Sequence, residues 1–380
     1  MRPGACQEIE TKVLKQDLCT LCGACSGNCP YIVSYEGRIV VRDVCDLPEG
    51  RCTAFCPRVS LDLDKLSLDS FGKPYDWDRP GPALHVGMAR SADEALRRSA
   101  QDAGTVTSLI GLALEEGYID SAVVTFFDGE KLPRARVVSD KEELLRSVRS
   151  NYTAVPVLGA FNEAIAGAGR ERVGVVGTPC QALALAKMKM SGSGDARNVG
   201  KLKLVIGLFC TWALLYPGFS DFLKGKVPGP VLKFIIPPPP TKILRAVTAK
   251  GTTDMPLEMV MPFVRPACAF CLDMTSEFAD ISIGAAELDR QPDVPGTDAL
   301  PAWNTIIVRT SKGYDLFQEA IRRGVIETAE LPAKTLEHLN HAARAKKKRA
   351  LREIVRKTGS RKDLLYLTSQ PLMLGDLLEE

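Results

Sequence analysis

The chain has 380 residues, more than one hydrophobic core usually supports, and 45% of them are hydrophobic, so two packed domains are expected. Its 49 basic and 46 acidic residues leave a formal net charge of +3, which gives no electrostatic basis for a nucleic-acid or membrane-surface partner. No apolar stretch reaches the roughly eighteen residues a membrane span needs, and Glu8, Glu10, Lys12, Lys15 and Asp17 interrupt the N-terminal region; a cytoplasmic protein without a signal peptide is expected.

In chain order, eight of the twelve cysteines fall within residues 6–56, and the stretch that follows to about residue 80, rich in Asp, Pro and Gly, reads as a linker. Gly104 to Gly117 is then expected as helix, Ile119 to Phe127 as strand, and Ser139 to Arg149 as a helix opened by a capping box of Ser139 and Glu142. Further buried strands are expected at Arg172 to Val176, Leu202 to Phe209, Ala279 to Ile283 and Thr305 to Val308, and Pro237 to Pro240 as an extended solvated linker. Past residue 333 the chain turns helical and basic, and the run of Arg344, Lys346, Lys347, Lys348 and Arg349 reads as a solvated helix face. The fold class is α+β/α/β: a ferredoxin-like iron–sulfur unit with its linker over 1–80, a mixed-sheet α/β domain over 81–332, and a helical basic tail over 333–380.

Cys19, Cys22, Cys25 and Cys29, followed by Pro30, have the C-x2-C-x2-C-x3-C-P spacing by which one loop wraps three thiolates around a 4Fe-4S cubane and sends its fourth to a neighbouring cluster. Structural zinc uses two ligand pairs well separated in sequence, which this spacing does not offer. Counting back from Cys56-Pro57, Cys52 takes the third position of a second such motif and Cys45 the first, with one residue inserted, while the second position has no cysteine. The exchange rule then groups Cys19, Cys22, Cys25 and Cys56 around one cluster and Cys29, Cys45 and Cys52 around another. The second needs an outside ligand such as Cys6 or a carboxylate, or else persists as 3Fe-4S; a free thiol in the N-terminal segment is the alternative for Cys6.

Cys180, Cys210, Cys268 and Cys271 remain. They number what a cubane needs, and Cys180 and Cys210 each end an apolar strand, but two lone buried thiols beside a structural CxxC account for the spacing equally well. Gly177-Thr178-Pro179-Cys180-Gln181, then Cys268-x2-Cys271-x-Asp273 running into Ala279-Asp280-Ile281-Ser282-x-Gly284, then Trp303 to Thr310, resemble the beta subunits of coenzyme F420-reducing hydrogenase and F420-dependent formate dehydrogenase, in order over most of residues 84–350. Gln101-Asp102-Ala103-Gly104-Thr105-Val106-Thr107 is similar to the family's glycine-rich segment, with Ala103 where glycine is usual, and Ala285 stands where the family often has Asp.

The resemblance implies FAD and a 4Fe-4S cluster in the large domain. Cys180, Cys210, Cys268 and Cys271 would be the cluster ligands, and Gln101, Asp102, Gly104, Thr105, Thr107, Thr178 and Gln181 would lie beside the flavin. With the two front clusters this makes three iron–sulfur clusters. The implied function is an oxidoreductase subunit that moves electrons between reduced coenzyme F420 and the clusters of a larger complex, with a catalytic subunit of hydrogenase, formate dehydrogenase or heterodisulfide reductase type as partner. The alternatives are an adaptor that takes electrons from ferredoxin or a partner protein without a small-molecule substrate, a ferredoxin-dependent chlorophyll or chlorophyllide reductase of the same superfamily, and a zinc-stapled scaffold. His85, His338 and His341 adjoin no cysteine motif and are given no catalytic role; Trp303 is expected to begin a core strand.

Overall fold

A computed structural model describes residues 4–127, 132–148, 151–191, 196–216, 218–237, 241–286, 303–369, 371 and 375. The apolar runs become thirteen strands among the described residues. They are β1 (Ile32–Tyr35), β2 (Arg38–Val41), β3 (His85–Ser91), β4 (Ser121–Phe126), β5 (Arg134–Val138), β6 (Val173–Gly177), β7 (Leu202–Leu208), β8 (Val231–Ile235), β9 (Ile243–Thr248), β10 (Gly251–Pro256), β11 (Ile281–Ala285), β12 (Asn304–Val308) and β13 (Ile326–Ala329).

Eight of them form one mixed sheet in the order β13-β3-β12-β11-β7-β6-β4-β5. The centre, β11-β7-β6-β4, is parallel, and both flanks are antiparallel. Every residue of β12 is buried, as expected of an Ile/Val-rich strand with packed layers on both faces. The carboxyl ends of the parallel strands share one edge of the sheet, where α/β folds gather their sites, and Cys180 and Cys210 follow β6 and β7 there.

The helix over Thr105–Glu115 and the strand expectations hold to within a few residues at either end. The expected capping box at Ser139 does not form. Asp140 caps the helix Lys141–Leu145, because its carboxylate accepts the Glu143 N–H at 2.8 Å, and Glu142 instead pairs with Arg146. Pro238–Pro240 lie outside the described residues. Strands β8, β9 and β10 form a separate antiparallel sheet with its own core of Phe219, Phe234, Leu244, Met255 and Val260, an insertion that no sequence expectation covered.

Two readings of the flanks change more. The stretch before residue 80 is no solvated linker: Leu63–Phe71 is a helix capped by Asp62, and Tyr75 and Trp77 are buried edge to face at 4.9 Å. The basic run on the helix Ala333–Thr358 is likewise no solvated face, since Lys346 is 4% exposed and Lys347 is fully buried. That helix packs Leu351 and Ile354, and the following segment packs Tyr366 and Leu367, into one core with Ile9, Leu21, Ile32, Leu66 and Phe270. Front segment, C-terminal segment and the CxxC loop therefore share a core.

A close approach fixes β7 against the loop before β11. A Cβ on Gly207 would stand 2.2 Å from Ser276 Cβ and 2.7 Å from Ala279 Cβ, and neither neighbour can yield without moving backbone. Gly207→Ala is expected to cost about 1–3 kcal/mol through overpacking, read as a lowered thermal midpoint; an unchanged midpoint would mean the loop can give way.

Candidate redox site

Three groups of thiols emerge. In the first, Cys22 neighbours Cys56 and Cys19, and Cys25 neighbours Cys22, Cys56 and Cys19. In the second, Cys52 lies beside Cys29 and Cys45. In the third, Cys180 lies beside Cys271 and Cys268, and Cys210 beside Cys268, Cys180 and Cys271. The neighbours of the front thiols thus include the pairs the exchange rule groups, and the four cysteines of the large domain neighbour one another. The groups also adjoin one another. Cys52 of the second group is among the neighbours of Cys25, and Cys180 of the third among those of Cys22.

Local structure explains the placement of the third group. The motif Gly177-Thr178-Pro179-Cys180-Gln181 is a strand-to-helix junction in which Thr178 is the N-cap and Pro179 the first residue of the helix Pro179–Met190. Gln181 completes a capping box: its Oε1 accepts the Thr178 N–H at 2.7 Å, while its Nε2 donates to the Val155 carbonyl at 2.7 Å. Both ends of that amide are engaged in holding the turn. The Thr178 hydroxyl lies 3.3 Å from Cys180 Sγ.

Cys210 is held by its N–H on the Met274 carbonyl, Cys268 Sγ accepts the Ala213 N–H at 3.4 Å, and Asp273 accepts the N–H groups of Thr275 and Glu277 at 2.9 and 2.8 Å, shaping the loop after Cys271. Asp280, Ser282, Arg309 and Thr310, which the resemblance singled out, form a clamp under the site. Asp280 accepts the Val205 N–H and the Thr310 hydroxyl at 2.8 Å each, and buried Arg309 bonds Ser282 Oγ and the Pro80 carbonyl. Trp303 is half-buried under the Arg90 guanidinium, 4.5 Å from its ring centroid, and is not a core residue.

Burial pushes the thiols up: Cys56 and Cys180 to about 11, with the Arg58 N–H opposing at Cys56 and Cys271 adding at Cys180. Cys22, Cys25 and Cys210 rise further for the same reason. Against this stand buried cations. Arg58 is 4% exposed and donates to the Phe270 carbonyl at 2.8 Å, with its guanidinium 4.3 Å from the Tyr366 ring centroid and the thiols of Cys271, Cys180 and Cys56 around it. Arg265 donates to the carbonyls of Cys19 and Gly37, Lys346 to those of Cys210 and Thr211, and Lys187 to that of Cys56. Among the described residues no carboxylate lies within ion-pair distance of Arg58, Arg265 or Lys346, and the Nε donors of both arginines have no hydrogen-bond acceptor.

Buried charge without an opposite charge is costly, so this ring of cations fits thiols that carry, or coordinate something that carries, negative charge. Among the described residues no three His, Cys, Asp or Glu side chains converge as ligands of a single ion. Between Cys180 and Cys271 on one side and Pro57 and Arg58 on the other is a cavity of about 20 Å³, enough for a water and far too small for a flavin ring.

Of the residues assigned to the flavin, Gln101, Asp102, Gly104, Thr105 and Thr107 lie in the loop and helix start that follow the helix Glu94–Ser99. Gln101 donates to the Phe234 carbonyl at 2.6 Å and leaves a buried Oε1 without a partner. Burial raises the Asp102 carboxyl against the pull of Lys233, and burial with Asp102 beyond it raises the Tyr152 phenol to about 12; Cys210 also neighbours that phenol. Gly104 takes φ 75° and opens the helix Thr105–Glu115, whose first turn receives no side-chain cap. Thr105 is buried and donates to the Ala89 carbonyl, while Thr107 is half-buried in the first turn. Tyr152, near Asp102, has its ring centroid 6.0 Å from that of Trp212; neither was singled out from sequence, since an aromatic before an apolar run reads as ordinary core. Thr178 and Gln181 belong instead to the Cys180 turn.

The comparisons with known proteins bear on the family and the fold. Residues 86–162 match the family model for the N-terminal part of the coenzyme F420 hydrogenase/dehydrogenase beta subunit, and residues 170–334 match the model for its C-terminal part. The chain belongs to the coenzyme F420 hydrogenase/dehydrogenase beta subunit family. Within it, the chain is 31% identical over 247 residues to the beta subunit of the coenzyme F420 hydrogenase of Methanosarcina barkeri, covering 63% of this chain and 79% of that protein. It is 28% identical to the coenzyme F420-dependent sulfite reductase of Methanocaldococcus jannaschii over 91% of this chain but 52% of that protein. It is 27% identical to a subunit of the F(420)H(2) dehydrogenase of Methanosarcina mazei over 89% of this chain and 91% of that protein. A chain of the xenon-derivatised F420-reducing [NiFe] hydrogenase complex of Methanosarcina barkeri superposes with TM-score 0.64 at 27% identity, covering 74% of this chain and 96% of that one. The mixed eight-stranded sheet is thus the family's fold. No helix among the described residues is long and apolar enough to cross a membrane.

Proposed function

We propose that this chain is an FAD- and iron–sulfur-dependent subunit that passes electrons between coenzyme F420 and the metal centres of a larger cytoplasmic redox complex. The observation that carries the reading is the neighbourhood of the thiols, Cys25 near Cys52 and Cys22 near Cys180, beside buried Arg58, Arg265 and Lys346, which among the described residues have no carboxylate within ion-pair distance. The free state of all twelve cysteines suits a reducing compartment.

Cys19, Cys22, Cys25 and Cys56 would hold one 4Fe-4S cluster, Cys29, Cys45 and Cys52 the second front cluster, and Cys180, Cys210, Cys268 and Cys271 the cluster of the large domain. The orphan donors of Arg58 and Arg265 fit the sulfur-rich anions such clusters are. For FAD, the helix start at Gly104–Thr107, which receives no side-chain cap, would suit phosphate, and the unpartnered Gln101 Oε1 with half-buried Asp102 would supply polar contacts near Tyr152. A flavin accepts a hydride as an electron pair and delivers electrons one at a time, which is the chemistry one-electron clusters require of a neighbour.

The protein's own part is placement. Tyr152 neighbours both Asp102 and Cys210, which supports a flavin loop near the third thiol group, and the capped turn at Cys180 and the Asp273 loop would brace that group. Partner choice between hydrogenase, formate dehydrogenase and heterodisulfide reductase types of catalytic subunit follows from whichever protein docks near the second group.

Mixing the anaerobically purified, FAD-loaded chain with reduced F420 is expected to regenerate the absorbance of oxidised F420 while the flavin absorbance bleaches. Intact clusters and flavin with no response to reduced F420 would assign the chain instead to the adaptor role, fed by ferredoxin or a partner protein.

A further inference from the structure

We propose that Cys6, which lies outside both cysteine motifs, is the fourth ligand of the second front cluster. The proposal rests on the cluster reading of Cys29, Cys45 and Cys52 and supplies the position that their spacing lacks.

Cys6 is fully buried. Its thiol neighbours those of Cys45 and Cys52, with that of Cys29 also nearby. Backbone contacts hold it there independently of the sulfurs. The Ala5 N–H donates to the Leu47 carbonyl at 2.8 Å. Gly4 passes so close that a Cβ would stand 1.7 Å from the Cys45 carbonyl oxygen, and a Cβ on Gly50 would stand 3.0 Å from Ala5 Cβ and 3.2 Å from Cys52 Sγ. With its nitrogen toward the Cys45 carbonyl, the Gln7 carboxamide donates to that oxygen and accepts the Cys45 N–H, both at 3.2 Å. The short helix Ala5–Ile9 is therefore sewn to both strands of the loop that would surround the cluster.

The loop itself offers nothing in its place. Asp46, Leu47, Pro48 and Glu49, where the second cysteine of a complete motif would fall, are all exposed, so neither carboxylate faces Cys45 and Cys52 from the protein interior. Ligation replaces the Cys6 S–H bond by an Fe–S bond and releases the proton to solvent, with no electron exchanged.

The test uses the full chain with its clusters reconstituted anaerobically, in wild type, Cys6→Ala and Cys6→Val. Valine fills the buried space without a sulfur, so a change common to both variants reports ligation rather than packing. Wild type is expected to hold about twelve irons, and each variant is expected to lose iron from the second cluster alone. An oxidised 3Fe-4S electron paramagnetic resonance signal, or loss of that one cluster's spectrum, should appear while flavin content and the other two clusters are unchanged. Cys6→Asp, which offers an oxygen ligand, should recover the fourth iron. Retention of the full iron count and the wild-type spectrum in Cys6→Ala or Cys6→Val would overturn the proposal. A wild-type protein without iron at the front cysteines would overturn the underlying cluster reading instead.

Discussion

Replacing Lys347 by Met is expected to lower the stability of the folded chain by about 3–5 kcal/mol, because it leaves a buried carboxylate without its cation. The Lys347 ammonium sits 2.9 Å from Glu277 with both side chains at most 1% exposed, and it also donates to the carbonyls of Asp76 and Arg79 at 2.6 Å each. This one cation ties the C-terminal helix to the segment ahead of β3 and to the loop between Cys271 and β11. The urea midpoint should fall sharply with an unchanged slope. The double variant Lys347→Met with Glu277→Leu should recover much of the loss, since it removes the stranded charge as well. A small effect in the single variant would mean that water reaches Glu277 or that its carboxyl, already raised by burial, takes up a proton once Lys347 is gone.

The same pair sets a pH dependence with a definite sign. Burial pushes the Glu277 carboxyl up from 4.5 to about 7, with Lys347 pulling against it and Asp273 adding to it. A group whose folded value exceeds its unfolded one binds its proton more tightly in the folded state. Its contribution is therefore fully present below about 4.5 and is lost as pH rises toward about 7. Glu277→Gln should flatten the stability profile across that window. A profile that stayed parallel to wild type would place the titration elsewhere.

The sheet could be read in the sequence because buried parallel strands announce themselves as short Val/Ile runs, and β6, β7, β11 and β12 are such runs. The front cysteines stood out because cluster spacing is local, with Cys19 to Cys29 on one short segment, whereas Cys180, Cys210, Cys268 and Cys271 are scattered and were grouped only through the family resemblance. What escaped was set by contacts distant in sequence. Lys346 and Lys347 sit in a run whose composition is that of a wet helix face, and they become core residues only through carbonyls of Cys210 and Thr211, and of Asp76 and Arg79. Cys6 was open in the sequence between an outside ligand and a free thiol, because what places it beside the loop of Cys45 is the approach of Gly4 and Ala5, distant from that loop in sequence. Gln181 drew notice as a polar residue in a glycine-started turn, a description that suits a ligand contact and a capping box equally, and the structure uses it as the cap.

Arg58→Leu is the substitution expected to reach furthest into electron transfer. On the cluster reading, its guanidinium occupies the gap between the first thiol group, through Cys56, and the third, through Cys180 and Cys271, where burial opposes its charge and Tyr366 and these thiols together sustain it. A cation there favours the more negative, reduced state of whatever lies on either side. A unit charge about 7 Å from a redox centre, at an effective dielectric constant near 20, contributes on the order of 2 kcal/mol, or about 100 mV for one electron. Removing it should therefore shift two of three midpoint potentials downward in a titration followed by electron paramagnetic resonance and leave the cluster at Cys29, Cys45 and Cys52 near its wild-type value. Arg58→Lys keeps the charge and gives up the contact with the Tyr366 ring, so it should restore most of the potential without restoring all of the stability. Exposed Arg245, paired with Asp254 on the inserted sheet, supplies the control: Arg245→Gln should move none of the potentials. Equal shifts in all three clusters for Arg58→Leu would show a general loosening of the fold. No shift in any would place Arg58 outside the field of both sites.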